Sequence, residues 1–283
     1  GELFPGIIGF EDSVVPQLEN AILAGQDIIL LGERGQAKSR VIRQLVSLLD
    51  DEIPIMEGCE LNDDPFNPIC RQCKDIIAKE GDEAKISWLP REIRYAEKLA
   101  TPDITVADLI GEIDPIKVAE GRYLSDELTI HYGLIPRTNR GIFCINELPD
   151  LSERIQVSLF NLMQERDVQI KGYRIMLPLD VFLVSSANPE DYTNRGRIIT
   201  PLKDRYGAQI RTHYPRSTDE EIGIVEQEYT KFDDTADKVT VPDYMKELVA
   251  EITALARRSP DVNQRSGVSL RVSIANYETV VSS

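Results

Sequence analysis

Lys38 and Ser39 close a short segment whose residue types could bind phosphate. The segment reads GERGQAKS over residues 32–39, and it matches the pattern G-x-x-x-x-G-K-[ST] at every defined position except one. Glycines in such a loop permit backbone angles that let successive N–H groups converge on phosphate oxygens. We expect the Lys38 ammonium to reach the β- and γ-phosphates and the Ser39 hydroxyl to contact Mg²⁺. The residues predicted to bind the nucleotide are Gly32, Glu33, Arg34, Gly35, Gln36, Ala37, Lys38, Ser39 and Arg40.

Ala37 stands where the pattern has its second glycine. Alanine is the smallest residue with a Cβ and is tolerated where φ is negative, so we predict a working loop with a negative φ at Ala37. The alternative is a chance turn rich in Gly, Lys and Ser. The flanking segments favour a binding loop, because residues 27–31 predict a strand and residues 41–49 an amphipathic helix. The start of that helix adds the positive end of its dipole.

A second candidate position follows the apolar run at residues 142–145, which reads IFCI. Asn146 and Glu147 come next, where a Walker B segment has two acidic residues. Glu147 keeps the carboxylate that can polarise an attacking water. Asn146 offers only a neutral amide oxygen, so we predict weaker handling of Mg²⁺ by a metal site of Ser39, Asn146 and Glu147. The alternative is a buried strand followed by an incidental glutamate.

Three cysteines lie close together in the chain. Cys59 precedes a C-x-x-C formed by Cys70 and Cys73. Such a group could hold Zn²⁺, with Asp63 or Asp64 completing a tetrahedron. The second C-x-x-C of the usual zinc knuckle is missing, so reduced structural thiols are the preferred interpretation and a zinc site is the alternative.

The bulk composition is that of an ordinary globular protein. Hydrophobic residues make up 42% and charged residues 28% of 283 positions, which suits one large domain or two. The net charge of −16 opposes non-specific adhesion to nucleic acid or anionic membranes, although it does not exclude a local basic stripe. No apolar run approaches the roughly 20 residues that span a bilayer, and no signal peptide stands at the start. We therefore expect a cytoplasmic protein without membrane partners.

The order of elements predicts an α/β fold, a parallel sheet with helices on both faces. Residues 181–187 read VFLVSSA, the near-continuous apolar run of a buried parallel strand, and they deliver Asn188 beside the phosphate loop. We predict a nucleotide-binding core over residues 1–215, with an insertion at about 57–100 that packs on the core without belonging to it. A small helical lid follows over residues 216–283. The chain stops within a helical pattern, which predicts that the native protein continues.

Together these motifs resemble those of AAA+ ATPases, which are P-loop NTPases. Within the AAA+ ATPases, the chain is most similar to the group that contains the magnesium chelatase ATPase subunit and the MoxR proteins. The resemblance covers nearly the whole chain apart from the cysteine-bearing insertion. A hairpin before the sensor strand is a particular mark of this branch. The segments that carry the resemblance are residues 32–39, 133–147 (GLIPRTNRGIFCINE), the hairpin at 168–177, 186–189 (SANP), 202–207 and 267–271.

The resemblance implies roles for individual residues. Asn188 is similar to sensor 1, which positions the attacking water, and Arg271 is similar to sensor 2, which couples the lid to the phosphates. Arg205 resembles an arginine finger presented to the neighbouring subunit, the alternative being a surface ion pair with Asp204 or nearby acids. Since such a finger contributes roughly 10³–10⁵ in rate, a hexameric ring should be the active form. The implied catalytic set is Glu147, Lys38, Asn188, Arg205 and Arg271.

The resemblance further implies an Mg²⁺-dependent, ATP-hydrolysing ring motor that remodels a partner protein or inserts metal into a substrate. Such rings often serve a partner with a von Willebrand factor A domain. One alternative is a nucleotide-binding regulatory switch with little turnover, because Ala37 and Asn146 depart from the motifs. Another is a nucleic-acid motor whose Lys171 and Arg174 face a pore, although the acidic charge argues against it.

Overall fold

The protein is described as a computed structural model over residues 3–119, 127–165, 168–170, 173–175, 177–188, 197–229, 239–262 and 268–282. Among these residues, no helix combines the length and apolar character needed to cross a membrane. The strands are β1 (Ile28–Leu31), β2 (Glu52–Met56), β3 (Ile86–Pro90), β4 (Tyr95–Leu99), β5 (Gly111–Ile113), β6 (Ile130–Tyr132), β7 (Gly141–Asn146), β8 (Val168–Ile170), β9 (Tyr173–Ile175), β10 (Val181–Ala187) and β11 (Ala208–Arg211). The α-helices are α1 (Val15–Leu23), α2 (Lys38–Gln44), α3 (Arg71–Glu80), α4 (Val106–Leu109), α5 (Pro115–Ala119), α6 (Leu134–Arg137), α7 (Glu153–Glu165), α8 (Thr200–Lys203), α9 (Thr218–Glu228), α10 (Asp243–Arg258) and α11 (Leu270–Ser282).

The central feature is a five-stranded sheet in the order β11-β1-β10-β7-β4, with all pairs parallel. Its inner strands are apolar and buried because both faces are covered. Along β7, Ile142 and Cys144 face a core cluster that includes α1 and α2, while Phe143 and Ile145 face a second cluster that includes α7. The predicted parallel sheet with helices on both faces is confirmed.

Parallel pairing brings three strand ends to one edge of the sheet. Strand β1 ends at Leu31, β7 at Asn146 and β10 at Ala187, and Leu31 lies directly opposite Ala187. The residues that follow these strands therefore share the carboxyl edge, where open α/β sheets bind their ligands.

The predicted insertion at about 57–100 is wrong at its end. Residues 95–99 form β4, which pairs in parallel with β7 and so belongs to the central sheet. The segment reads YAEKL and all but one of its residues are half-buried. An edge strand lacks the continuous apolar run of a buried parallel strand, and for this reason its sequence carried no recognisable signal. Strands β2 and β3 instead form a separate antiparallel pair.

Helices α9, α10 and α11 pack together around Val225, Val249 and Tyr277. A bidentate ion pair joins them, with Arg257 Nη1 and Nη2 donating to the two carboxylate oxygens of Glu221 at 2.6 and 2.8 Å. The Glu221 side chain is 3% exposed and that of Arg257 is 11% exposed. Ser273 of α11 donates to the same carboxylate, so one buried acid connects all three helices.

We expect Arg257→Gln to destabilise the protein by about 3–5 kcal/mol, because it leaves Glu221 buried without its counter-charge. Urea denaturation followed by circular dichroism would measure this loss. The matched control is Arg258→Gln at an exposed position, with an expected change within about 0.5 kcal/mol. Equal effects of the two substitutions would contradict the prediction.

Candidate active site

Lys38, Asn188 and Glu147 form a connected chain of hydrogen bonds at the carboxyl edge of the sheet. Lys38 Nζ donates to Asn188 Oδ1 at 2.8 Å, and Asn188 Nδ2 donates to Glu147 Oε2 at 3.0 Å. The three residues follow β1, β10 and β7, and they are far apart in sequence. The structure thus brings a buried ammonium group, an amide and a carboxylate together where the phosphate loop begins its helix.

The backbone of the loop after β1 is hydrogen-bonded by side chains of the same segment. Lys38 Nζ also donates to the carbonyl oxygens of Gly32 at 2.5 Å and Glu33 at 2.7 Å. The amide oxygen of Gln36 accepts the Glu33 N–H at 3.1 Å and the Thr212 hydroxyl at 2.7 Å. A Cβ at Gly32 would lie 1.9 Å from Thr212 Oγ1. Glycine is therefore required at this position by the close approach of the Thr212 side chain, directly after β11.

The predicted negative φ at Ala37 is wrong. Ala37 has φ +50° and occupies the left-handed region at the N-cap of α2. The loop reverses sharply into the helix there, and an L-residue in this conformation costs roughly 1–2 kcal/mol. Glu147 is also left-handed, with φ +58°. Strained residues of this kind concentrate at functional sites, and here both flank the same edge of the sheet.

Asn146 is hydrogen-bonded to a carboxylate that the sequence did not reveal. Its Nδ2 donates to Glu97 Oε1 at 2.5 Å, and its Oδ1 accepts the Ser186 hydroxyl at 3.2 Å. Glu97 lies on β4 and forms an ion pair with Arg43 at 2.9 Å. The hydrogen bond from Arg43, opposed by partial burial, lowers the pKa of Glu97 below its ordinary 4.5. A negative charge therefore lies beside the position where a Walker B segment has its first acid.

Ser39 is exposed at the start of α2. Two other residues of the segment 32–40 are connected to the helices α9 and α10. Arg40 forms an ion pair with Glu228 of α9. The carbonyl oxygen of Arg34 accepts the Tyr214 hydroxyl at 2.9 Å, and the guanidinium of Arg257 stacks 4.6 Å above the Tyr214 ring. The loop is thus attached to α9 directly and to α10 through Tyr214.

Arg205 is exposed, and its guanidinium lies 5.5 Å from the centroid of the Phe160 ring. Within the described part of the chain, Arg205 forms no ion pair with Asp204 and does not contact Lys38.

Arg271 is exposed at the second position of α11. The residue two places before it, Ser269, approaches the loop so closely that a Cβ at Gly35 would lie 2.2 Å from Ser269 Oγ. Gly35 itself has φ +77°. The start of α11 therefore lies against the phosphate loop, with Arg271 two residues from this contact.

The cysteine group also forms, apart from the nucleotide residues. One ligand atom from each of Cys59, Asp63, Cys70 and Cys73 lies within 4.8 Å of the others. The three cysteines of this group are free thiols. Asp64, the alternative fourth ligand, instead lies 3.8 Å from the guanidinium of Arg140.

The chain is similar in sequence to known proteins over most of its length. A family model described as the Sigma-54 interaction domain matches residues 119–202. The chain is 29% identical over 262 residues to the magnesium-chelatase subunit ChlI of Nostoc sp., covering 90% of this chain and 64% of that protein. It is 30% identical over 213 residues to a ChlI homologue of Methanocaldococcus jannaschii, covering 73% of this chain and 53% of that protein.

A solved structure shows the same fold. It is a chain from the complex between subunits BchI and BchD of magnesium chelatase, with a TM-score of 0.56 and 22% identity over 90% of this chain and 74% of that one. The resemblance to the magnesium chelatase ATPase subunit that was inferred from the motifs is confirmed by the sequence relatives. The chain spans less than two thirds of the length of the curated relatives named above.

We expect Ala37→Gly to stabilise the protein by up to about 1 kcal/mol, because glycine adopts a positive φ without a Cβ penalty. Urea denaturation midpoints would measure the gain. The control is Ala24→Gly. Because φ is −84° at Ala24, glycine relieves no strain there and only adds chain entropy to the unfolded state, which lowers stability. A loss of stability at both positions would contradict the assignment of strain to Ala37.

The pH dependence of stability should carry a contribution from Glu97. Since its folded pKa is lowered, the ionised carboxylate stabilises the fold above pH 4.5, and this stabilisation is lost as the pH falls through the folded pKa. The difference in unfolding free energy between wild type and Glu97→Gln should therefore be largest at neutral pH and shrink below 4.5. Arg43→Gln should flatten the same part of the curve of unfolding free energy against pH. If both variants kept the wild-type curve, Glu97 would not be the source of this pH dependence.

Proposed function

We propose that this chain, a relative of the magnesium chelatase ATPase subunits with an AAA+ fold, binds ATP with Mg²⁺ and hydrolyses the β–γ phosphate bond. The observation that carries the proposal is the continuous contact from Lys38 through Asn188 to Glu147. The side chain of Asn188 thus connects Lys38, the cation proposed for the phosphates, with Glu147, the carboxylate proposed for the water.

The residues present fit a nucleoside triphosphate. Lys38 is 8% exposed and its ammonium is held by carbonyl and amide oxygens, the kind of partner that phosphate oxygens can replace. Gly32 leaves no room for a side chain, and Gly35 lies under the start of α11. The loop residues 32–40 would hold the phosphates, with the Ser39 hydroxyl as the proposed Mg²⁺ ligand. Bound Mg²⁺ would neutralise charge on the phosphate oxygens.

Glu147 is the proposed general base. Its carboxylate accepts a proton from water, and the amide of Asn188 orients that water while sensing the γ-phosphate. In the described conformation Asn188 bridges Glu147 and Lys38, so these hydrogen bonds must be exchanged when Lys38 turns to phosphate. The left-handed backbone of Glu147 fixes the direction from which the carboxylate leaves β7.

Glu97 is proposed to supply the charge that Asn146 lacks. The pair is hydrogen-bonded, so a carboxylate remains beside the amide at the strand end. This proposal revises the initial expectation of weaker Mg²⁺ handling, because the negative charge lies on the neighbouring strand while Asn146 keeps its hydrogen bond to Ser186.

We propose a homo-oligomeric, hexameric ring in which a core of residues 1–215 and a lid of residues 216–283 enclose the nucleotide. Arg205 is the proposed finger for the adjacent subunit, which agrees with its exposed position. Arg271 is the proposed lid sensor, because the start of its helix touches Gly35.

The partner and the work done are carried over as proposals from related proteins. A structural neighbour is described in complex with a second magnesium chelatase subunit, and we propose that this ring likewise serves a separate protein, one with a von Willebrand factor A domain. Its work would be MoxR-like remodelling or metal insertion, in the cytoplasm. For the nucleic-acid motor, Lys171 lies outside the described residues and Arg174 is described by its backbone alone.

The regulatory switch remains a second candidate because two observations favour slow turnover. Ala37 adopts a strained conformation, and the amide of Asn146 is engaged by Glu97 and Ser186. Glu147-dependent hydrolysis distinguishes the motor from the switch.

We expect Glu147→Gln to bind ATP normally while turnover falls by roughly 10²–10⁴, because only proton acceptance is lost. Lys38→Ala should lose binding itself. Fluorescent ATP-analogue titration and phosphate release would separate the two effects. The control is Glu153→Gln, an exposed position on α7. Unchanged turnover in Glu147→Gln would refute the assigned base and leave the switch.

Mixing two inactive variants tests whether the active site is shared. Glu147→Gln has an intact Arg205, and Arg205→Ala has an intact Glu147, so an equimolar mixture should hydrolyse ATP faster than the two proteins apart. The activity of wild-type protein should also rise steeply with concentration. If the mixture gains nothing while wild type is active, Arg205 does not act in a neighbouring site.

A further inference from the structure

Three sulfurs converge where the loop after β2 meets the first turn of α3. Cys59 Sγ and Cys70 Sγ are 4.0 Å apart, and with Cys73 Sγ and a carboxylate oxygen of Asp63 they form a group no wider than 4.8 Å. Zinc–sulfur bonds of about 2.3 Å in a tetrahedron place sulfurs roughly 3.8 Å apart, whereas a disulfide needs about 2.0 Å. The spacing matches one shared metal ion more closely than a disulfide.

Asp63 is unusually placed for a carboxylate. Its residue is 1% exposed, and Oδ2 accepts the N–H groups of Ile69 at 3.0 Å and Cys70 at 2.9 Å. Its other oxygen, Oδ1, is buried without a hydrogen-bond partner in the described structure, and no ion pair of Asp63 is recorded there. Burying a carboxylate with an unsatisfied oxygen is costly unless a cation lies beside it.

The backbone around the sulfurs is arranged to support thiolates. The Leu61 N–H donates to Cys59 Sγ at 3.4 Å, and the Cys73 N–H donates to Cys70 Sγ at 3.3 Å. Such outer hydrogen bonds orient the ligands and offset their charge. Cys70 is the N-cap of α3, so the helix start holds two of the three sulfurs in fixed relative positions.

We propose that Cys59, Asp63, Cys70 and Cys73 bind one structural zinc ion with tetrahedral coordination. Thiolates favour Zn²⁺ over the hard ions Mg²⁺ and Ca²⁺, which take oxygen ligands. Cys70, Cys73 and Asp63 are buried, which suits a closed structural site without a position for substrate. The unsatisfied Asp63 oxygen is thereby given a cation.

The zinc would hold a loop that contacts the segment before β7. Asn139 Nδ2 donates to the Leu61 carbonyl at 2.8 Å, and Asn62 Nδ2 donates to the Arg137 carbonyl at 2.8 Å. Both contacts lie just ahead of Gly141, where β7 begins. The metal would therefore brace the start of the strand whose other end leads to Glu147.

Metal content of the native chain is the direct test and does not depend on ATP turnover. Protein purified with reductant and without chelator should contain about one zinc ion per chain by mass spectrometry. Replacement by Co²⁺ should produce thiolate-to-metal charge-transfer bands in the near ultraviolet and the visible bands of a tetrahedral ion. Reduced protein that takes up neither metal on reconstitution would overturn the proposal.

Variants assign the individual ligands. Cys59→Ser and Cys73→Ser should lose stoichiometric zinc, and Asp63→Asn should bind it at least about tenfold more weakly. Two matched controls, Cys144→Ser and Asp64→Asn, should keep full zinc content. If a variant fails to fold, removal of metal from the wild type by chelator should lower its melting temperature and added Zn²⁺ should restore it. Undiminished affinity in Asp63→Asn would overturn the fourth ligand.

Discussion

The parallel alignment of β1, β10 and β7 is the constraint on which the candidate active site depends. Because these strands run in one direction, the residues that follow them emerge at one edge, and Lys38, Asn188 and Glu147 meet there through two hydrogen bonds. An antiparallel neighbour would send one of these residues to the opposite edge. The apolar side chains that bury both faces of the sheet thus also position its polar groups.

The site is strained at two positions and held by contacts around it. Ala37 and Glu147 both have left-handed backbones, a conformation that persists only where the surroundings determine it. The loop is held by Thr212 on one side and by Tyr214 on the other, and Tyr214 leads through Arg257 to the buried Glu221. The helical region and the loop are therefore connected through a short series of contacts.

The motif residues could be predicted from the sequence because each depends on its near neighbours. The loop at 32–39, the apolar run before Glu147 and the strand before Asn188 all combine residue type with local periodicity. Glu97 could not be found in this way. Its contact with Asn146 comes from the register of β4 against β7, which puts Glu97 opposite Cys144, two residues before Asn146. The short edge strand that sets this register has no distinctive pattern.

The amino-acid sequence by itself determined the fold class, the phosphate loop and the candidate residues, since hydrophobic periodicity and local motifs act over a few positions. Only the tertiary structure decided the φ of Ala37, the place of β4 in the sheet, the pairing of Glu97 with Asn146 and the choice of Asp63 over Asp64 beside the cysteines. These features depend on contacts between segments distant along the chain. Such contacts follow from how the whole chain packs, which no short stretch of residues encodes.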